Sequence, residues 1–74
     1  TDEIAEALNE LPEDYKTVAT LYFVDDFKYG EIADVLGIPI GTVRSRLHRG
    51  RRLLQANLWD LATEHGLVAP KGEM

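Results

Sequence analysis

The residues with the most pronounced chemistry in this chain are five arginines within nine positions: Arg44, Arg46, Arg49, Arg51 and Arg52. A guanidinium fork pairs with guanine O6 and N7 and with phosphate oxygens, so this cluster predicts nucleic-acid binding. A charged helix face is often only solvated, with acids one turn away neutralising the bases. Here no Asp or Glu occurs between Gly41 and Trp59, so the arginines repel one another and need an external anion or an acidic partner. We therefore expect contact with DNA.

The spacing of these residues predicts one exposed basic face on a helix. With Val43 at the middle of the buried side and about 100° per residue, Ser45, His48, Arg49 and Arg52 fall on the solvent side. Arg44 and Arg51 flank one edge of that face, and Arg46 flanks the other. Arg51 and Arg52 lie further along the helix and are better placed for phosphates. Thr42 and the free amides near Gly41 are candidates for a phosphate at the helix N-terminus.

Apolar periodicity predicts the elements that position this face. Helices are expected over residues 2–10, 12–24, 29–36 and 40–64, with Pro12 opening the second helix and Gly37 closing the third. The fourth helix has a core stripe at Val43, Leu47, Gly50, Leu54, Leu58 and Leu61. The fold class is therefore all-α: a compact four-helix domain over residues 1–66 that contains a helix-turn-helix, followed by a flexible tail over 67–74. The aromatic residues expected in the core, rather than in a base-stacking platform, are Tyr15, Tyr22, Phe23, Phe27 and Tyr29.

Composition agrees with a small DNA-binding domain once the charge is divided along the chain. The net charge is −5, but residues 1–27 carry −7 whereas residues 28–55 carry +4. The hydrophobic share of 45% suits a globule, and the absence of cysteine from these 74 residues fits a reducing cytoplasm, where we expect the protein to act. The sequence opens without an initiator Met, and we expect it to be a piece of a longer protein.

Enzymatic and metal chemistry find no support in the sequence. It contains no glycine-rich phosphate loop, HExxH motif or catalytic triad pattern, so we expect neither an enzyme nor a cofactor. Asp25 and Asp26 have no nucleophile or metal partner nearby and are expected in a solvated turn. No second ligand stands one helical turn from His48, so a DNA contact is the expected role of that residue. His65 is expected to complement a helix dipole.

The segments LPEDY (11–15), EIA (31–33) and GIPIGTVRSRLHRGR (37–51) resemble region 4 of extracytoplasmic-function sigma factors, which belong to the sigma-70 superfamily. The resemblance covers about residues 4–65 and implies a helix-turn-helix of the winged-helix-like class. HRGRR (48–52) and EHG (64–66) are similar to the actinobacterial group that responds to thiol oxidation. Lys28, at the cap of the third helix, and Gly30, in its first turn, depart from the family pattern. We therefore expect this helix to begin late or fray.

The resemblance implies recognition of the promoter minus-35 element, docking on the flap of the RNA polymerase β subunit, and control by an anti-sigma factor that covers the domain. Carried over residue by residue, base readout is assigned to Arg44, Ser45, His48 and Arg49. Phosphate contacts are assigned to Thr42, Arg46, Arg51 and Arg52. In the thiol-oxidation group the anti-sigma factor is a small zinc protein whose cysteines sense the oxidant. The apolar residues assigned to a partner interface are Leu8, Leu11, Phe23, Val24 and Trp59.

Two alternatives remain open from the sequence. One is the helix-turn-helix domain of another regulator, such as the C-terminal domain of a response regulator, which would dimerise on paired half-sites. The other is a protein-interaction module that is bound to an anti-sigma factor or an activator while DNA contact is blocked. Oligomeric state discriminates the first alternative from a sigma domain, which should be monomeric alone. Exposed leucine and phenylalanine would favour the second.

Overall fold

The computed structural model describes residues 2–64, which form four helices: α1 (Asp2–Asn9), α2 (Glu13–Ala19), α3 (Tyr29–Leu36) and α4 (Ile40–Glu64). No β-strand occurs in this range, and the prediction of an all-α four-helix domain with a helix-turn-helix is confirmed. Among these helices, none combines the length and apolarity needed to cross a membrane. The predicted tail and His65 lie outside the described residues.

Helix α2 ends in a wider turn that the apolar pattern did not predict. Pro12 is extended, with ψ near 147°, and its carbonyl accepts the amides of Tyr15 at 3.0 Å and Lys16 at 2.9 Å, so the helix begins one residue later than expected. Residues Thr20–Val24 continue α2 as a π-helical segment. The amide of Asp25 reaches the carbonyl of Thr20 at 3.1 Å, five residues back, which is the π spacing. This turn sets the direction of the side chains at the end of α2.

Helix α3 begins at Tyr29, so the expectation of a late start is wrong, whereas fraying of its first turn stays a prediction. Lys28 lies before it in an extended conformation, and its amide donates a 2.8 Å hydrogen bond to the Glu31 carboxylate. This bond is one half of a capping box and satisfies an amide that the helix itself leaves free. Gly37 closes α3 in the left-handed region with φ 67°, where glycine carries no Cβ penalty.

Two hydrophobic cores lie along α4. The helix-turn-helix core consists of the buried residues Val18, Ile32, Val43 and Leu47. The α1 core consists of Ala7, Leu8, Leu11, Ala19, Leu54 and Leu61. Between them α2 crosses α4 at Gly50, where a Cβ would stand 3.4 Å from the Cβ of Tyr15. The predicted stripe of α4 is confirmed as its buried side, with Leu58 half-buried.

Two residues assigned to a partner interface are inside the α1 core, which makes that assignment wrong for this conformation. Leu8 and Leu11 are only 6% and 5% exposed, because α1 turns them onto Leu54 and Leu61 of α4. Ile4, one helical turn before Leu8 on α1, is instead exposed. A partner would have to detach α1 before it could reach Leu8 or Leu11.

Candidate nucleic-acid interface

The first half of α4 presents most of the predicted basic residues to solvent. Its buried residues face the helix-turn-helix core, and the opposite side of the helix is therefore free. The exposed side chains are Arg44, Ser45, His48, Arg49, Arg51 and Arg52. Thr42 and Arg46 are half-buried. The described structure thus brings seven of the eight predicted DNA-contacting residues together within nine positions of one helix, with Thr42 at its first turn.

Among the described residues, the guanidinium groups on this face have no counter-ion. An ion pair among the described residues joins Lys16 to Glu13 at 3.9 Å, on α2 and away from this face. Neighbouring like charges on one helix destabilise it by a few tenths of a kcal/mol per pair, so the face is electrostatically unsatisfied as it stands. Phosphate or another anion would relieve this repulsion, and that favours a binding role over a merely solvated surface.

The basic face has two sides with different neighbours. Arg44, His48 and Arg51 lie on the side of α2 and α3, where they line a groove of about 420 Å³ with Tyr22, Phe23, Tyr29 and Leu47. Arg49 and Arg52 lie on the other side, where they line a groove of about 410 Å³ with Tyr15, Leu53 and Ala56. The guanidinium groups therefore lie on both sides of the exposed face of α4. This arrangement suits a ligand that is large enough to contact both sides.

Polar groups at the start of α4 are partly engaged by the helix itself. The Thr42 amide donates to the Pro39 carbonyl at 3.0 Å, so it is not one of the free amides expected near Gly41. The Ser45 hydroxyl donates to the Thr42 carbonyl at 3.1 Å, which leaves its oxygen lone pairs available to accept. A base amino group would suit this acceptor.

Tyr22 and Tyr29 are the residues beside the basic face that the sequence did not single out. Both were expected in the core; they are half-buried, pack against it, and also line the groove with Arg44. Their ring centroids lie 5.3 Å apart. The residue type could have indicated this position from the sequence, because a tyrosine commonly buries its ring and keeps its hydroxyl at a polar boundary.

The remaining assigned partner residues lie at the surface. Phe23, Val24 and Trp59 are 46%, 60% and 40% exposed. The expectation that Phe23 lies in the core is therefore wrong. Asp25 and Asp26 are exposed in the turn after α2. Within the described part of the chain, no three acidic, histidine or cysteine side chains are grouped so that they could hold a metal ion. The basic face of α4 is therefore suited to binding an anionic ligand.

Comparison with known proteins gives consistent matches. The family model described as "Sigma-70, region 4" matches residues 1–54. ECF RNA polymerase sigma factor SigW of Bacillus subtilis is 41% identical over 61 residues, which are 82% of this chain and 33% of that protein. RNA polymerase sigma factor SigV of Bacillus subtilis is 43% identical over 56 residues, 76% of this chain and 34% of that protein. ECF RNA polymerase sigma factor SigE of Mycolicibacterium smegmatis is 40% identical over 62 residues, 84% of this chain and 24% of that protein. The chain spans about a third or less of the length of these relatives.

Proposed function

Because the chain belongs to the sigma-70 region 4 family, we propose that it recognises the minus-35 element of promoters as the C-terminal domain of an alternative sigma factor of the ECF group. In that role it directs RNA polymerase to transcription initiation in the cytoplasm. The observation that carries the proposal is the first half of α4, where four exposed arginines and the half-buried Arg46 have no ion pair among the described residues.

The position of each residue along α4 suggests how the contacts are divided. In a helix-turn-helix the N-terminal residues of the recognition helix enter the major groove and touch base edges. We assign base readout to Arg44, Ser45, His48 and Arg49, which occupy the exposed surface nearest the turn. We assign phosphate contacts to Thr42, Arg46, Arg51 and Arg52. These contacts fix the register on the duplex without reading its sequence.

Two protein partners complete the proposal. Core RNA polymerase would be bound through its β flap, and an anti-sigma factor would cover the domain to keep it inactive. Support for protein contacts comes from the large apolar side chains Phe23, Val24 and Trp59, which the described fold leaves partly exposed. The similarity of residues 48–52 and 64–66 to the actinobacterial thiol-oxidation group supports a zinc-containing anti-sigma partner with the redox sensor. These 74 residues contain no cysteine that could serve as that sensor.

Fluorescence anisotropy tests DNA recognition directly. The chain is titrated with a duplex that carries a GGAA-type minus-35 site and with a scrambled duplex, each at two salt concentrations. We expect a preference for the site that Arg49→Ala removes, because a bidentate arginine–guanine pair contributes about 1–3 kcal/mol of discrimination.

Arg52→Ala serves as the matched control on the same side of α4. It should weaken binding to both duplexes alike and lower the salt slope by about 1, since a phosphate contact carries no sequence information. Equal, strongly salt-dependent binding of the wild-type chain to both duplexes would contradict direct readout and reduce the arginines to phosphate contacts.

A further inference from the structure

His48 differs in chemistry from the other basic residues on the exposed face of α4. Histidine is the side chain that gains and loses a proton near neutral pH, whereas arginine remains cationic. His48 is exposed and lies one helical turn after Arg44 and one turn before Arg51. Among residues 2–64 its imidazole makes no hydrogen bond or ion pair, so both ring nitrogens are available to a ligand.

The groups that surround His48 come from three elements and include no acid. His48 lines the groove of about 420 Å³ on the α2 and α3 side of α4. The charged and titratable groups that line this groove with it are Arg44 and Arg51 from α4, Tyr22 from the π-helical segment and Tyr29 from α3. Its other lining residues are apolar. The described domain therefore offers no carboxylate to a protonated imidazole here, and an anion has to come from a ligand.

A bound duplex supplies that anion. A recognition helix in the major groove has phosphates on both sides and purine acceptor atoms in front of it. A neutral imidazole donates one hydrogen bond, whereas the protonated ring donates two and carries a positive charge that phosphates attract. DNA therefore favours the protonated ring more than the free domain does.

We propose that the chain takes up a proton at His48 when it binds promoter DNA, so that recognition of the minus-35 element strengthens as the pH falls. The inference rests on the proposed DNA-binding function and concerns the regulation of that same site. The sign follows from linkage: the complex holds more protons than the free chain and the free duplex together, so a lower pH shifts the equilibrium toward the complex. Uptake of one proton limits the gain in affinity to about tenfold per pH unit.

Fluorescence anisotropy with the minus-35 duplex measures this coupling at constant ionic strength. Between about pH 8 and about pH 6 we expect the affinity of the wild-type chain to rise about threefold, because exposed charge pairs are weak. The salt slope should be steeper at the lower pH by up to about 0.9, the contribution of one more neutralised phosphate. Calorimetry in two buffers of different ionisation enthalpy counts the protons taken up, and it needs no variant.

Variants assign the proton to His48. His48→Gln keeps a polar side chain that cannot become charged, so its affinity, whatever its level, should not change with pH. His48→Lys carries a cation throughout and should show the steeper salt slope at both pH values. His65→Gln is the matched control, because it removes the second of the two histidines in the chain and should leave the pH dependence intact.

Three results would overturn the proposal. The first is a wild-type affinity that stays constant or falls as the pH is lowered, and the second is a pH dependence that persists in His48→Gln. The third is a pH dependence that disappears in His65→Gln. Equal binding of the wild-type chain to the minus-35 and scrambled duplexes would instead contradict the proposed function, and the proton count measured with either duplex would still report on His48.

Discussion

The two halves of α4 differ in what they contact. Its first half packs on the helix-turn-helix core and carries all five arginines, with no ion pair to the rest of the described domain. Its second half packs on the α1 core, where the Asn57 amide donates a 3.0 Å hydrogen bond to the Ala7 carbonyl. The two halves of this continuous helix therefore have different roles. The first half carries like charges that an anionic ligand would neutralise, and the second half holds α1 in place.

The largest expected effect comes from removing a core side chain on each side of this division. Ile32→Ala should lower the free energy of unfolding by about 2–5 kcal/mol, because Ile32 is fully buried in the helix-turn-helix core. Leu8→Ala in the α1 core should cost a similar amount. Urea unfolding measures both losses. Among folded molecules, only Ile32→Ala should weaken duplex binding in anisotropy. An equal loss of DNA affinity in folded Leu8→Ala would show that the two regions act as one.

Asn57→Ala tests the bond that joins α1 to the second half of α4. The loss leaves the Ala7 carbonyl without its side-chain donor, and we expect a cost of about 1–2 kcal/mol, since the bond is partly buried. Hydrogen exchange should quicken for the amides of α1 and remain unchanged for α3. Gln55→Ala, an exposed truncation two residues away, is the control. Faster amide exchange throughout α3 would contradict the separation of α4 into two halves that act independently.

Glu31→Ala tests the start of α3 on the DNA-binding side. Removal of the carboxylate that accepts the Lys28 amide should cost about 1 kcal/mol, the usual value of a capping interaction. Asp34→Ala removes an exposed acid from the same helix without touching the cap and should change stability little. Thermal unfolding with amide exchange in α3 distinguishes the two variants. If both lost the same stability, the capping bond would not explain why α3 begins at Tyr29.

Gly50→Ala tests the boundary between the two cores and has the smallest expected effect. An alanine in a helix interior gains about 0.5–1 kcal/mol over glycine, and its Cβ would meet Tyr15 at an ordinary contact distance of 3.4 Å. Urea unfolding should therefore show a modest gain in stability. Gly41→Ala is the control, because nothing lies within 4 Å of its added Cβ. It measures the gain in stability from replacing a glycine at a position that α2 does not cross. A loss at Gly50 alone would mean that α2 and α4 tolerate no added atom there.

The prediction of which side of α4 is buried succeeded because its signal is local. The core stripe of α4 recurs every three or four residues, so its buried and exposed sides follow from the sequence. The start of α3 was misjudged because Lys28 and Gly30 were weighed as poor helix residues while the Glu31 carboxylate was not considered as an acceptor for the Lys28 amide. The roles of the individual DNA-contacting residues stay predictions.

The sequence by itself determined the four helices, the helix-turn-helix and the concentration of arginine on one face, because helical periodicity and charge are properties of near neighbours. Only the tertiary structure decided which apolar residues remain outside. Leu8 and Leu11 are covered by residues more than forty positions away, whereas Phe23 stays exposed at the end of the π-helical segment. Tyr22 and Tyr29 line one groove with Arg44 because α2, α3 and α4 are brought together there. Such neighbours depend on how whole helices cross, and no short stretch of sequence records that crossing.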